Sequence, residues 1–170
     1  MRESNLRNGH NGFSLIELMV VLAILAITLS LALPGFSALT LSTNLKSYAN
    51  ELVASVYMAR GEAIKRNTTV KLCTSDDGIF CASTGSWEQG WIVIDFNNIV
   101  IQHRQALAPG FRINSSGGRE ITFGPSGASS SQSVMTVCRK TPTVGDREKI
   151  VTISATGRPK VTDDDSGLCP

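Results

Sequence analysis

Gly12-Phe13-Ser14-Leu15-Ile16-Glu17-Leu18-Met19-Val20-Val21-Leu22-Ala23-Ile24-Leu25-Ala26-Ile27-Thr28-Leu29-Ser30-Leu31-Ala32-Leu33-Pro34 is the stretch whose reading decides the fold. From Phe13 to Leu33 it is almost continuously apolar for 21 residues and carries a single charge, Glu17. A helix rises about 1.5 Å per residue, so this run covers about 30 Å, the thickness of a bilayer's hydrocarbon core. A membrane-spanning helix over 13–33 is therefore expected. A secretory signal peptide has a shorter apolar core and a small-residue cleavage site on its far side; none follows Leu33, so the segment is read as retained. Arg2 and Arg7 precede it, and the positive-inside tendency puts residues 1–12 in the cytoplasm and the rest across the membrane.

Outward from that run, the chain is long enough at 170 residues for one ordinary domain plus an appendage, and a hydrophobic content of 42% is adequate for a real core. The formal net charge of +2 selects no particular partner. Four cysteines, all beyond residue 70 and without a CxxC pair, argue against zinc. In a domain that follows a membrane segment they read as two disulfides formed in an oxidising compartment such as a periplasm.

After Pro34 the pattern changes twice. Leu41, Leu45, Tyr48, Leu52, Val56, Ala59 and Ala63 step by three or four, with Asn44, Lys46, Asn50, Glu51 and Arg60 on the rest of the circumference, which makes residues 34–67 an amphipathic helix. From Thr68 the period becomes two. Strands are expected at Val70–Leu72, at Trp91–Phe96 and Ile99–His103 around a two-residue Asn97-Asn98 turn, and at Phe111–Ile113, Glu120–Phe123, Ser133–Cys138 and Lys149–Ser154. Helix first and antiparallel strands after give an α+β fold, a long N-terminal helix packed on an antiparallel sheet.

No constellation supports catalysis, so no enzyme activity, cofactor or metal is expected. His103 has no nucleophile beside it in the sequence. Asp163-Asp164-Asp165 lacks the alternating oxygen ligands and turn glycine of a calcium loop and reads as a solvated acidic tail. Glu17 is the anomaly, because an ionised carboxylate inside an apolar span costs about 2.5–3.5 kcal/mol unless something compensates it. An interior proline at 34 costs roughly 3 kcal/mol and removes a backbone donor, which marks Pro34-Gly35 as a joint.

Gly12-Phe13-Ser14-Leu15-Ile16-Glu17 behind a short hydrophilic leader resembles the signal of type IV prepilins. The resemblance implies a peptidase cut between Gly12 and Phe13, methylation of the new N-terminus at Phe13, and a Glu17 carboxylate that neutralises the terminal amine of a neighbouring subunit during assembly. Many type IV pilins also carry a helix-kinking proline where Pro34 stands. Farther on, Ala59-Arg60-Gly61-Glu62-Ala63, Trp87, Gly90-Trp91-Ile92-Val93-Ile94 and Ile153-Ser154-Ala155-Thr156-Gly157-Arg158 resemble the GspH/FimT/FimU group of minor pilins and pseudopilins. That implies a leader over 1–12, a filament-core helix over 13–33, its amphipathic continuation over 34–67 and a β-rich periplasmic domain over 68–170. The implied location is the inner membrane of a Gram-negative bacterium, single-pass, and then a surface pilus. The implied partners are other minor pilins, the major pilin, prepilin peptidase and the inner-membrane assembly platform. The implied role is to prime assembly near a pilus tip in support of twitching, adhesion or DNA uptake. A minor pseudopilin of a type II secretion system is one alternative.

Cysteine spacing suggests Cys73 with Cys81 and Cys138 with Cys169; other pairings stay open. The first alternative to the leading reading is a DNA receptor for natural transformation. Some FimT-type pilins carry a Gly-Arg-x-Arg motif that Gly157-Arg158-Pro159-Lys160 resembles, which makes Arg158 and Lys160 candidate phosphate contacts. Lysine is only a point charge where arginine bridges two oxygens. Arg139, Lys140, Arg147 and Lys149 extend that basic face if the disulfide brings their loop near the tail.

Overall fold

The computed structural model describes residues 13–142, 147–167 and 169, without the side chains of 31–38. The proposed leader residue Gly12 lies outside that description; at the expected joint the backbone is helical through Pro34 and Gly35, and only the side chain of Pro34 is left undescribed. One helix, α1 (Leu15–Arg66), is followed by eight strands, β1 (Val70–Thr74), β2 (Gly90–Asp95), β3 (Val100–Gln105), β4 (Phe111–Ser115), β5 (Glu120–Phe123), β6 (Ser133–Arg139), β7 (Glu148–Ile153) and β8 (Pro159–Asp164). A single 3-10 turn, Trp87–Gln89, precedes β2. The chain divides into two compact units, one ending at Thr40 and one running from Leu41 to Pro170.

In the first unit the large apolar side chains from Leu15 to Leu29 are all at least half exposed, on every side of the helix. The hydroxyls among them are satisfied locally. Thr28 Oγ1 donates to the carbonyls of Ile24 and Leu25, and Ser30 Oγ donates to that of Ile27 at 2.7 Å. Leu15 to Ser30 is sixteen residues, or about 24 Å of helix. Among the described residues no helix is long and apolar enough to cross a membrane.

In the second unit the same helix becomes one-sided. Leu41, Leu45, Tyr48, Leu52, Val56, Ala59 and Ala63, the stripe expected from spacing, are all buried. The helix stops where Asn67 turns left-handed (φ 51°), so that the Asn67 and Thr68 amides reach back to the carbonyls of Ile64 and Ala63. Lys65 and Arg66 lie at its negative end.

The strands form two four-stranded antiparallel sheets rather than one, in the orders β3-β2-β1-β5 and β4-β6-β7-β8. Leu72, Trp91, Val93, Ile121 and Phe123 from the first and Ile113, Met135, Val137, Val151 and Ile153 from the second share one core with the helix stripe. Two tryptophans fasten it. Trp91 Nε1 donates to Ser55 Oγ at 2.8 Å with both groups buried, and Trp87 Nε1 donates to the Gly118 carbonyl at 2.8 Å. A buried indole N–H must find such an acceptor or carry a desolvation cost of about 1–3 kcal/mol. Cys73, Ile92 and Ile94 point to the opposite face of the first sheet, where Cys81 and Val100 pack on them.

Two sequence expectations need correction. The β2–β3 connection is four residues, 96–99, rather than the Asn97-Asn98 pair. The Asp95 carboxylate accepts the amides of Asn97 and Ile99, each at 2.9 Å, and so replaces a two-residue turn; only Asn98 takes positive φ (62°). Second, Asp163 and Asp164 are not a free acidic tail. They end β8, in register with Lys149 and Glu148, and Asp163 is ion-paired to Lys149.

Candidate functional site

Glu17 lies in the first turn of α1, exposed, with no hydrogen bond or ion pair to any described residue. Its neighbours Leu15, Ile16, Leu18 and Met19 are exposed as well, and Phe13 stands 80% exposed just before the helix. Every other described polar side chain from Leu15 to Ser30 is closed on its own backbone; Glu17 alone has no partner among the described residues. A carboxylate near a helix N-terminus is favoured by the backbone dipole, though only by tenths of a kcal/mol to about 1. A cation brought into an apolar setting gives the larger compensation.

The disulfides join Cys73 to Cys81 and Cys138 to Cys169. The second ties the tail beyond β8 to the end of β6.

Gly157 and Arg158 form the tight turn between β7 and β8. The Gly157 amide donates to the Ser154 carbonyl at 2.8 Å, and the Arg158 amide donates to Ser154 Oγ at 3.1 Å. Gly157 has φ 73°, and a β-carbon there would lie 2.2 Å from the Gly127 carbonyl oxygen. That same oxygen accepts Arg60 Nε at 3.1 Å. Helix, β5–β6 loop and β7–β8 turn are thus clamped at one point, which explains a glycine at 157 without any ligand. Arg158 and Lys160 are exposed.

The other basic candidates are not gathered there. Register pairs Ser133 with Ile153 and Ile153 with Pro159 at one end of the second sheet; Arg139 and Lys140 leave β6 at the other. Six residues of strand, about 20 Å, separate the groups. Arg147 and Lys149 line a 510 Å³ cleft with Lys46, Glu148, Asp163 and Asp165 at that far end. There burial lowers the pKa of Lys149, helped by Lys46 and Arg147, while burial and Asp164 raise that of Glu148. Glu148 Oε1 is buried without a hydrogen-bond partner. Neither the Arg60–Gly127–Gly157 clamp nor the buried Glu148 was anticipated from sequence; Arg60 and Gly157 stood in the motifs, but nothing local pairs them. Among the described residues no group of three or more His, Cys, Asp or Glu is placed to hold a metal.

Sequence profiles of two families match the chain. That of the type II transport protein GspH covers residues 48–157, and that of the prokaryotic N-terminal methylation motif covers 7–33. Among curated proteins none matches. Two crystal forms of the type IV minor pilin FimU of Pseudomonas aeruginosa are similar in fold. One gives a TM-score of 0.59 at 18% identity over 75% of this chain and 97% of FimU, the other 0.54 at 19% over 73% and 100%. The minor pseudopilin EpsH of the Vibrio cholerae type 2 secretion system is also similar, with a TM-score of 0.52 at 13% identity over 70% of this chain and 96% of EpsH.

Proposed function

The chain belongs to the GspH family, whose profile spans most of it, and we propose that it is a minor pilin, made as a prepilin and built into a type IV pilus. Prepilin peptidase cuts between Gly12 and Phe13 and methylates Phe13. Residues 13–33 anchor the subunit in the inner membrane with residues 68–170 in the periplasm, and then pass into the filament core. The partners are the inner-membrane assembly platform, other minor pilins and the major pilin. The subunit primes assembly and stays near the tip, in support of twitching, adhesion or DNA uptake. Its work is packing; it is not an enzyme.

Glu17 carries this reading. Among the described residues it is a carboxylate without a partner, on a helix whose surroundings are otherwise apolar and self-satisfied, the fifth residue of the proposed mature chain. The methylated amine of a neighbouring Phe13 supplies the missing cation. Docking then removes the burial penalty that an unpaired subunit carries, which makes assembly selective for processed neighbours. A type II secretion pseudopilin is the second reading, supported by the GspH profile and the likeness to EpsH.

The test is to express the full chain with its native machinery, shear off surface filaments and determine the N-terminal mass. The expected result is N-methylated Phe13 in the filament fraction, with surface pili reduced on deletion and not restored by Glu17→Val. An uncut chain, or filaments indifferent to both changes, refutes the proposal. Loss of secreted enzymes with pili intact selects the pseudopilin reading.

A further inference from the structure

Beyond β8 the chain crosses the second sheet. Asp164 ends β8 at the edge of that sheet, Cys169 is bonded to Cys138 in β6, and β7 lies between the two strands. Register sets the level of the crossing: Asp164 stands beside Glu148, and Lys149, the next residue of β7, stands beside Val137, the residue before Cys138. Alternation sets the side. Val137 and Val151 face the core, so Cys138 and Glu148 face away from it. The tail from Asp165 to Cys169 therefore runs over Glu148, which is only 2% exposed although it stands on the outer face of the sheet.

No described group satisfies the covered carboxyl, whose Oε1 is without a hydrogen-bond partner. The charged groups around it are Arg147 and Lys149 on its own strand, Asp163, Asp164 and Asp165 at the end of β8, and Lys46 on α1. Arg112 on β4 is in register with Cys138, two strands or about 10 Å from Glu148. Of these only Asp164 shifts the Glu148 pKa, upward and after burial itself, and the oxygens of Asp164 are already taken by the amide and hydroxyl of Ser166 in the tail. The three cations Lys46, Arg147 and Lys149 act on one another instead. An ionised Glu148 needs water, and water reaches it when the tail lifts. Closure is thus unopposed below pH 4.5 and increasingly opposed as pH rises above it.

We propose that the tail is a latch gated by its disulfide: with Cys138–Cys169 closed it is held over Glu148 in acid and at neutral pH alike, and with the bond open it lifts at neutral pH and stays down in acid. Opening is an exchange with a dithiol. The donor's two thiols become a disulfide, and their two electrons and two protons leave Cys138 and Cys169 as thiols. Lifting then adds the Glu148 carboxylate to Asp163, Asp164 and Asp165 at one corner, so the oxidation state of the chain is displayed at its surface as charge. The latch stands on the second unit alone and does not need the pilin reading.

The test uses the full chain in detergent micelles and reads backbone amide exchange over Asp163–Gly167 by mass spectrometry, corrected for the intrinsic effect of pH on exchange. With the bond intact, acid below pH 4.5 and neutral solution should give the same protection. In Cys138→Ser with Cys169→Ser, exchange should be at least about threefold faster at neutral pH than in acid, and adding Glu148→Gln should abolish that difference. A difference that survives Glu148→Gln, none in the bond-free chain, or one as large with the bond intact would each overturn the proposal. Should the bond-free chain unfold, as Trp87 and Trp91 fluorescence reports, the unaltered cysteines decide it. Reduction of Cys138–Cys169 by a phosphine, followed by alkylation of Cys169, should at neutral pH run at least about threefold slower with Glu148→Gln than without, and at equal rates in acid. Equal rates at neutral pH refute the latch.

Discussion

One helix, α1, lives in two environments. From Leu41 onward its apolar residues form a stripe and its polar residues cover the rest, and that stripe is buried by the chain's own sheets. Before Ser30 the apolar residues go all the way round and are at least half exposed among the described residues. Backbone and propensity barely differ between the halves; what differs is whether the sequence supplies the neighbour. The second half is a folding element; under the proposed function, lipid or other subunits would cover the first.

The largest expected effect sets the halves directly against each other. Leu52→Ala, in the buried stripe, should destabilise the second unit by about 2–5 kcal/mol in urea unfolding followed by tryptophan fluorescence. Leu22→Ala, half exposed on the first half, should change that same midpoint by less than about 0.5 kcal/mol. Equal effects would erase the distinction.

Next come the two cross-links of the second unit. Opening Cys138–Cys169, which spans 31 residues, should cost about 3–4 kcal/mol, and opening Cys73–Cys81, which spans 8, nearer 2–3, by loop-closure entropy. The ranking is checked by paired Cys→Ser substitutions in the same unfolding assay. Trp91→Phe is smaller again, about 1–2 kcal/mol, because it leaves the ring volume nearly filled but strips the buried Ser55 hydroxyl of its donor; Ser55 still donates to the Glu51 carbonyl.

The halves were unequally legible. The buried stripe followed from spacing alone, since period 3.6 with polar residues opposite has one stable outcome. The first half could be read only as apolar, and Glu17 gave it a meaning that no periodicity contains. In the sheets, period two located the strands up to β7 but missed β8. Pro159 opens that strand at a sheet edge, where its absent N–H costs no ladder bond, and Asp163-Asp164 looked like solvated charge. The division into two sheets was not visible, because alternation shows which face a residue occupies and not which strand lies beside it. Ser55, small and polar within an apolar stripe, was a signal that some buried donor stood opposite; spacing could not say it was Trp91.

Glu148 gives a pH-dependent test of the second unit. Burial and Asp164 raise its pKa above 4.5, so the folded state holds a proton that the unfolded chain has released. The sign follows: this group costs the fold nothing below pH 4.5, and stability falls as pH rises from there through the raised folded value. Glu148→Gln should flatten that fall and raise the urea midpoint at neutral pH. The first half has no part in this titration, so the same slope above pH 4.5 is expected whether or not residues 13–30 are embedded in micelles.

The smallest effect is expected at the turn whose residues drew most attention in the sequence. Arg158 and Lys160 are exposed, and Gly157 holds the turn through the Gly127 carbonyl and Arg60. Arg158→Ala with Lys160→Ala should therefore move the unfolding midpoint by less than about 0.5 kcal/mol, whereas Gly157→Ala, forced against that carbonyl, should cost several times more. With Arg139 and Lys140 about 20 Å away and Asp163 close by on the same strand, the pair offers few phosphate contacts together. Titration of labelled duplex at rising salt is expected to give the same weak curve with and without the double substitution. A loss of about two from the slope of log affinity against log salt would instead make this turn the chain's nucleic-acid contact, and would shift the functional weight from the helix to the β7–β8 edge.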